Sequence, residues 1–361
     1  MTCRKPASAL VLFCFAVAGC ASIGPGTVPR DRSDYITAVA DSWKEQTLLN
    51  VVRMRYGDAP SFVDVSSVIS AYTFQGQVSA GGQINSGAPS SVPSGVATFG
   101  GVSSYSDRPT ITYTPLVGDR FSRSLLRPIP PSAIFELIQA GFPADVMLLI
   151  TTRGINGLSN RNSLGGEARE ADPDFYEVLA VLRRLQLSGE VSLRVQRKDG
   201  EDLGLVIISS GRTQQSTRDL QFLLEKLKVK PGKGGEITLA FGILPRSENE
   251  IAVLSRSMVG VLLEVANGIM VPDADVAAGR AMPSGRRQEA PDPRDRPLVQ
   301  VHSSASQPAG AYASVHYRDS WYWIADNDFA SKRVFTFLML FFSLAETGVT
   351  PQPPLVTIPA N

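Results

Sequence analysis

Residues 72–84, Tyr-Thr-Phe-Gln-Gly-Gln-Val-Ser-Ala-Gly-Gly-Gln-Ile, decide how the rest of the chain is read. Tyr72, Phe74, Gly76, Val78, Ala80, Gly82 and Ile84 fall on one side of a period-two pattern. Thr73, Gln75, Gln77, Ser79 and Gln83 fall on the other. That is strand alternation, begun already at Val68 and Ser70 and kept up for longer than most soluble strands need. Asn85 to Gly95, with two prolines, reads as a turn region, and Val96 to Tyr105 as the returning strand. Between Asp64 and Asp107 there is no Asp, Glu, Lys or Arg. The expectation is a long, charge-free β-hairpin followed by a further strand at Thr110–Thr114.

Downstream, the texture changes to short helices and hairpins. Asp119–Arg127 and a segment from Pro130-Pro131-Ser132 to Ala140 read as helices, and Asp145–Thr152 as a buried strand before an Asn/Gly/Ser/Arg-rich loop, 154–171. A helix opened by Asp172 or Pro173 carries Phe175, Val178, Leu179, Leu182 and Leu185 on one face and stops at Ser188-Gly189. Val191–Gln196 and Leu203–Ser209 pair across a turn at Lys198-Asp199-Gly200. A helix over Thr217–Val229, a turn at Pro231–Gly235, a strand at Glu236–Phe241 and a helix from about Ser255 to Asn267-Gly268 follow. Residues 272–297 are rich in Pro, Asp, Arg and Gly and read as a loop or disordered insertion. Leu298–Ser303, Ala311–Tyr317 and Trp321–Ala325 read as strands, and Asp328 as the cap of a last helix over 329–346. Hairpins interleaved irregularly with helices predict an α+β fold with mainly antiparallel sheet rather than a doubly wound one.

Upstream of the hairpin, Ile36, Val39, Ala40, Trp43, Leu48, Val51, Val52 and Met54 recur at helical spacing, behind a cap at Ser33 or Asp34. Residues 21–32 carry Gly, Pro and charge without a periodic face and read as a tether. Ahead of them, Arg4 and Lys5 precede an apolar run, Ala9–Ala18, of roughly ten residues. That is the length of a signal-peptide core and too short to span a bilayer as a helix. It ends in Val17-Ala18-Gly19-Cys20. This arrangement resembles the leader and lipobox of bacterial lipoproteins. The resemblance implies cleavage after Gly19, with Val17, Ala18 and Gly19 recognised by the signal peptidase, and diacylglycerol and a further acyl chain such as palmitate on Cys20. Ala21 and Ser22 stand where an inner-membrane retention signal would place an aspartate, so the resemblance also implies an outer-membrane anchor, facing the periplasm. The body resembles envelope lipoproteins of Gram-negative bacteria, a likeness that carries no activity with it.

The domain expectation is a removed leader (1–19), a lipidated tether (20–32), an N-terminal helix and long hairpin (33–117), and an α+β body (118–271). An insertion (272–297), C-terminal strands and apolar helix completing the body (298–346), and a Pro-rich tail (347–361) follow.

Composition narrows the function classes. The chain has 35 basic and 34 acidic side chains, and losing Arg4 and Lys5 leaves it within one charge of neutrality. No field of one sign favours nucleic acid. Cys3 and Cys14 leave with the leader and Cys20 is lipidated, which excludes thiol catalysis, disulfides and cysteine metal sites. No Gly-x-Ser-x-Gly, His-Glu-x-x-His or phosphate-loop pattern occurs. Asp326-Asn327-Asp328 has the oxygen ligands of a Ca²⁺ site but lacks a calcium loop's glycine and distal glutamate, and reads as a helix cap. Glu167, Glu170, Asp172 and Asp174, interleaved with Arg161 and Arg169, read as a solvated loop. The expected catalytic, metal and cofactor sets are therefore empty.

Two aromatic regions remain as candidate interaction surfaces. Tyr72, Phe74, Phe99 and Tyr105 belong to the hairpin. Trp321 and Trp323 lie beside the apolar run Val334–Leu344, a buried helix or a docking face. The leading expectation is a lipid-anchored, non-enzymatic binding or assembly component of the envelope, joined to protein partners or to itself. The alternatives are an oligomeric export pore using the 65–106 hairpin, with edges satisfied by pooling several copies, and an envelope enzyme with an unrecognised site.

Overall fold

The computed structural model describes residues 23–69, 72–84, 95–121, 125–162, 169–198, 201–208, 213–283 and 296–345. The leader, Val17, Ala18, Gly19, Cys20, the turns expected within 85–94 and at Asp199-Gly200, Glu167 and the 347–361 tail lie outside the described residues. The fold is α+β, with mainly antiparallel sheet. The chain divides into two compact units, one made of the chain to Ala40 plus Val63–Pro115, the other of Asp41–Phe62 plus everything from Leu116.

Both units share the first helix, α1, Ile23–Arg55. It starts ten residues ahead of the expected cap, so the tether expected through residue 32 is helical from Ile23, with Pro29 inside it. A proline there forfeits one backbone bond. The apolar stripe also divides. Leu48, Val51 and Val52 are fully buried, whereas Ile36 is 58% exposed.

The first unit continues with β1 (Val63–Ile69), β2 (Tyr72–Ile84), β3 (Gly95–Asp107) and β4 (Thr110–Pro115). β1 pairs with β4 and β2 with β3, so the four strands form two nested antiparallel ribbons, each two-stranded. The β2–β3 register runs unbroken from Tyr72↔Asp107 to Ile84↔Gly95. The expected hairpin is present, and each of its strands is 13 residues long.

The second unit holds the core. Its elements are α2 (Gly118–Phe121), α3 (Pro131–Gln139), α4 (Ala144–Thr151), β5 (Thr152–Ile155), β6 (Leu158–Ser159) and α5 (Pro173–Ser188). β7 (Val191–Lys198), β8 (Glu201–Ile208), α6 (Gln214–Lys226), β9 (Glu236–Phe241), β10 (Glu250–Ser255), α7 (Met258–Ala266) and α8 (Asp273–Ala277) follow. β11 (His302–Ser304), β12 (Ala311–Tyr317), β13 (Ser320–Ala325) and α9 (Phe329–Ala345) complete it. A six-stranded sheet has the order β6-β5-β10-β9-β8-β7, in which β9 and β10 are parallel and every other pair antiparallel. Ile155, Val206, Ile237, Leu239, Ile251 and Val253 bring this sheet into one apolar core with α3 to α7 and α9. Arg184 grips Asp219 through both carboxylate oxygens, at 2.9 and 2.7 Å, tying α5 to α6.

Several expectations are corrected here. Asp145–Thr152 is not a strand. It is α4, buried at Ala144, Met147, Leu148, Ile150 and Thr151. A short run that is apolar on every side does not distinguish a buried strand from a buried helix. β10, unmarked by alternation because nearly all of it is buried, is central to the sheet. The helix expected from Thr217 begins at Gln214, where Thr213 and Ser216 form a capping box. The expected insertion contains the short helix α8 before its undescribed part, 284–295. Of the strand expected at Leu298–Ser303, the pairing covers His302–Ser304. The turn at Pro231–Gly235 is confirmed, as a 3-10 turn over Lys233–Gly235 with Gly234 and Gly235 at positive φ.

Candidate functional site

The hairpin owes its two faces to the register. Residues directly opposite in an antiparallel pair point to the same side. Phe74 lies opposite Tyr105 and Ala80 opposite Phe99. Tyr72, Phe74, Val78, Ile84, Phe99 and Tyr105 therefore share one face, so the register brings together the four aromatic positions singled out in the sequence. The other face takes Thr73, Gln75, Gln77, Ser79, Thr98 and Ser104 together with Val96 and Val102, and Ser103 and Asp107 fall on the aromatic side. Along both outer edges, neither β2 nor β3 has a further strand partner among the described residues. Val102 is 72% and Tyr113 59% exposed, and Ile69 and Ile111 are exposed as well.

Trp321 and Trp323 sit on β13, the middle strand of the sheet β11-β13-β12. Period-two alternation buries Tyr322 and Ile324 and leaves the two tryptophans half-buried on the opposite face. The register sets His302 against Trp323 and His316 against Trp321. The ring centroids are 4.6 and 5.3 Å apart. Both histidines of the chain thus join the aromatic face, His316 across the tight turn before β13 and His302 from the more distant β11. The indole Nε1 of Trp323 is buried with no acceptor among the described residues.

The apolar run Val334–Leu344 lies in α9. Val334, Phe335, Phe337, Leu338 and Phe341 are buried, and their neighbours include Phe142 against Phe337 at 5.3 Å. Leu340 is partly exposed. This helix is chiefly core. Asp328 caps it, accepting from the Ser331 amide at 3.0 Å, while Asp326 pairs with Lys332 at 2.6 Å. No cluster of three metal-ligating side chains exists among the described residues.

A cleft of about 610 Å³ opens beside the end of α1, lined by Met54, Arg55, Tyr56, Leu263, Asn267, Val276, Arg280 and Met282. Its volume is that of a small-molecule site. The Tyr56 hydroxyl is 2.5 Å from Asp275 Oδ2 and 2.5 Å from the Tyr322 hydroxyl. Arg280 Nε donates to Asp275 Oδ1 at 2.8 Å. Arg55 donates to the carbonyls of Ile269, at 3.1 Å, and Met282. Next to it, Tyr317 and Arg318 donate to Asp58, and the Arg318 guanidinium lies 4.8 Å from the Tyr56 ring centre. Burial, then the bonds to Asp275 and Tyr322, push the Tyr56 phenol far above its usual range. The Tyr56 hydroxyl, then Arg280, hold Asp275 below the usual carboxylate range. The polar groups of this cleft are engaged, Arg280 and Tyr56 with Asp275 and Arg55 with two backbone carbonyls.

The acidic loop reading is corrected at Arg161, which is buried rather than solvated. Its Nε lies 3.6 Å from Glu264 Oε1, and Arg256 Nη2 lies 3.8 Å from Glu264 Oε2. Arg256 also donates to the carbonyls of Leu149 and Ile150 at 3.0 Å. Asp172 instead accepts from the Ser159 amide at 2.7 Å, and Asp174 pairs with Lys226 at 2.9 Å. The lone glutamate in the apolar segment Met258–Ala266 was the one sequence signal for this buried triad.

Among the described residues, no helix is long and apolar enough to cross a membrane. Compared with protein-family models, with curated proteins and with solved structures, the chain matches none.

Proposed function

We propose that this chain is a lipid-anchored, non-enzymatic assembly component of the cell envelope, held in the outer membrane by acyl chains on Cys20 and joined to protein partners through its hairpin. The observation that carries the reading is the hairpin unit itself. Among the described residues its β2 and β3 edges carry no further strand, and its register runs unbroken over 13 charge-poor pairs. An isolated two-stranded hairpin is marginal in water, and an exposed edge is a template for pairing with another chain. Monomeric proteins blunt such edges with lysine, proline or bulges, yet β2 and β3 carry no charge between Tyr72 and Ser106 and keep an unbroken register. The Trp321–Trp323 face offers a second apolar contact surface.

Among the described residues the Tyr56 cleft has the volume an enzyme site would use, and its described lining holds two arginines and a tyrosine but no histidine. Photocrosslinking in intact cells, with the probe at Gln77, Ser79 or Thr98, tests the assembly reading. Discrete crosslinked protein species support it, and an uncrosslinked monomer at all three positions counts against it. Cys20→Ser should lose palmitate labelling entirely, since it removes the acylated thiol; retained label would sink the anchor.

A further inference from the structure

We propose that the partners of the hairpin are further copies of this chain, and that their β2–β3 ribbons join edge to edge into one closed barrel that crosses the outer membrane. The inference rests on the assembly reading above and specifies its partner and product. A hairpin has one edge from β2 and one from β3, running in opposite directions. When the β3 edge of one copy meets the β2 edge of the next, the new pair is antiparallel, as within the hairpin. Repeated around an axis, this head-to-tail contact closes into a ring with an even number of strands. Closure satisfies every edge, the condition for β-structure in hydrocarbon, where a lone hairpin fails.

Three features fit the membrane rather than a soluble ring. Each strand has 13 residues, and crossing the hydrocarbon core in a tilted barrel takes roughly 9–11. β2 alternates as a barrel wall requires. By register, Tyr72, Phe74, Val78, Ala80, Ile84, Phe99 and Tyr105 take one side, with Ser103 and Asp107, and Thr73, Gln75, Gln77, Ser79, Gln83, Thr98 and Ser104 take the other, with Val96 and Val102. A barrel places its apolar face toward lipid and its polar face toward the lumen. Short of Asp107, which pairs with Tyr72 at the open end of the ribbon and shares its side, no charge stands on either ribbon face, so neighbouring copies meet without like-charge repulsion. Continuity with the anchor adds to this. Cys20 stands three residues before the start of α1, whose first part shares a compact unit with the hairpin.

The test uses the full-length lipidated protein, extracted in mild detergent and reconstituted into planar bilayers. The expected result is a discrete ring-sized mass and stepwise conductance in the wild type. Gln77→Lys, on the lumen-facing side, should keep the ring and the conductance but shift the reversal potential in a salt gradient toward anions. Ala80→Arg, on the lipid-facing side, should abolish conductance while the circular dichroism and melting of the body stay unchanged. A ring without conductance overturns the barrel and leaves the assembly reading standing. So does a hairpin that crosslinks to a different protein and never to its own copies. A monomer without crosslinks overturns both.

Discussion

Tyr56 joins three segments far apart in sequence, because its hydroxyl meets both Asp275 and Tyr322. Tyr56→Phe removes those bonds and keeps the ring, so it should destabilise the protein by about 1–3 kcal/mol, read as a lower melting temperature. The pH dependence follows from the two shifts. Asp275 is held low by the Tyr56 hydroxyl and then Arg280, so its share is full above about pH 4 and is lost as pH falls through the lowered value. Tyr56 is held high by burial and then by its bonds, so its share is full below about pH 10 and is lost as pH climbs further. The melting gap between wild type and Tyr56→Phe should therefore be flat around neutrality and narrow at both extremes. A gap that widens in acid would contradict the assignment. Within the buried triad, Glu264→Leu leaves Arg161 and Arg256 facing each other and should cost about 3–5 kcal/mol. The Arg161→Met/Arg256→Met/Glu264→Leu combination should recover much of that in denaturant titrations. At this scale the sequence was partly legible. The Asp328 cap is a local event and could be read, whereas Arg161 looked solvated because the partners of its side chain, Glu264 and the Arg296 carbonyl, are more than a hundred positions away.

Elements with a clean period were readable, and elements buried on every side were not. β2 and α5 each alternate between apolar and polar at the spacing of their own geometry, and each is found where the pattern put it. α4 and β10 have no such contrast, since nearly every side chain in them faces protein. One local device holds β10 in place. Asn156, at φ +45°, donates to the carbonyls of Leu227 and Glu250 at 2.8 and 3.2 Å and accepts from the Ala252 amide at 2.6 Å. Asparagine tolerates the left-handed region better than most residues. Asn156→Ala forfeits both the conformation and the three bonds. It should lower stability by about 2–4 kcal/mol and speed amide exchange in β10 more than in β7, and equal exchange across the sheet would contradict this placement.

At the scale of the molecule, the buried core and the hairpin lie in different compact units. Removing residues 75–104 should therefore leave the melting of the core within about 1 kcal/mol of wild type, as expected of a change outside the compact unit that holds the core, while abolishing assembly. The division was visible in composition, where charge vanishes between Asp64 and Asp107, but its boundary inside α1 was not, because the helical stripe runs on across Ala40. The most direct test of the account is the native mass of the full-length lipidated protein in mild detergent. The account predicts a discrete assembly heavier than one chain, reduced to a single chain by the 75–104 deletion. A lone, partner-free chain for the intact protein would contradict it.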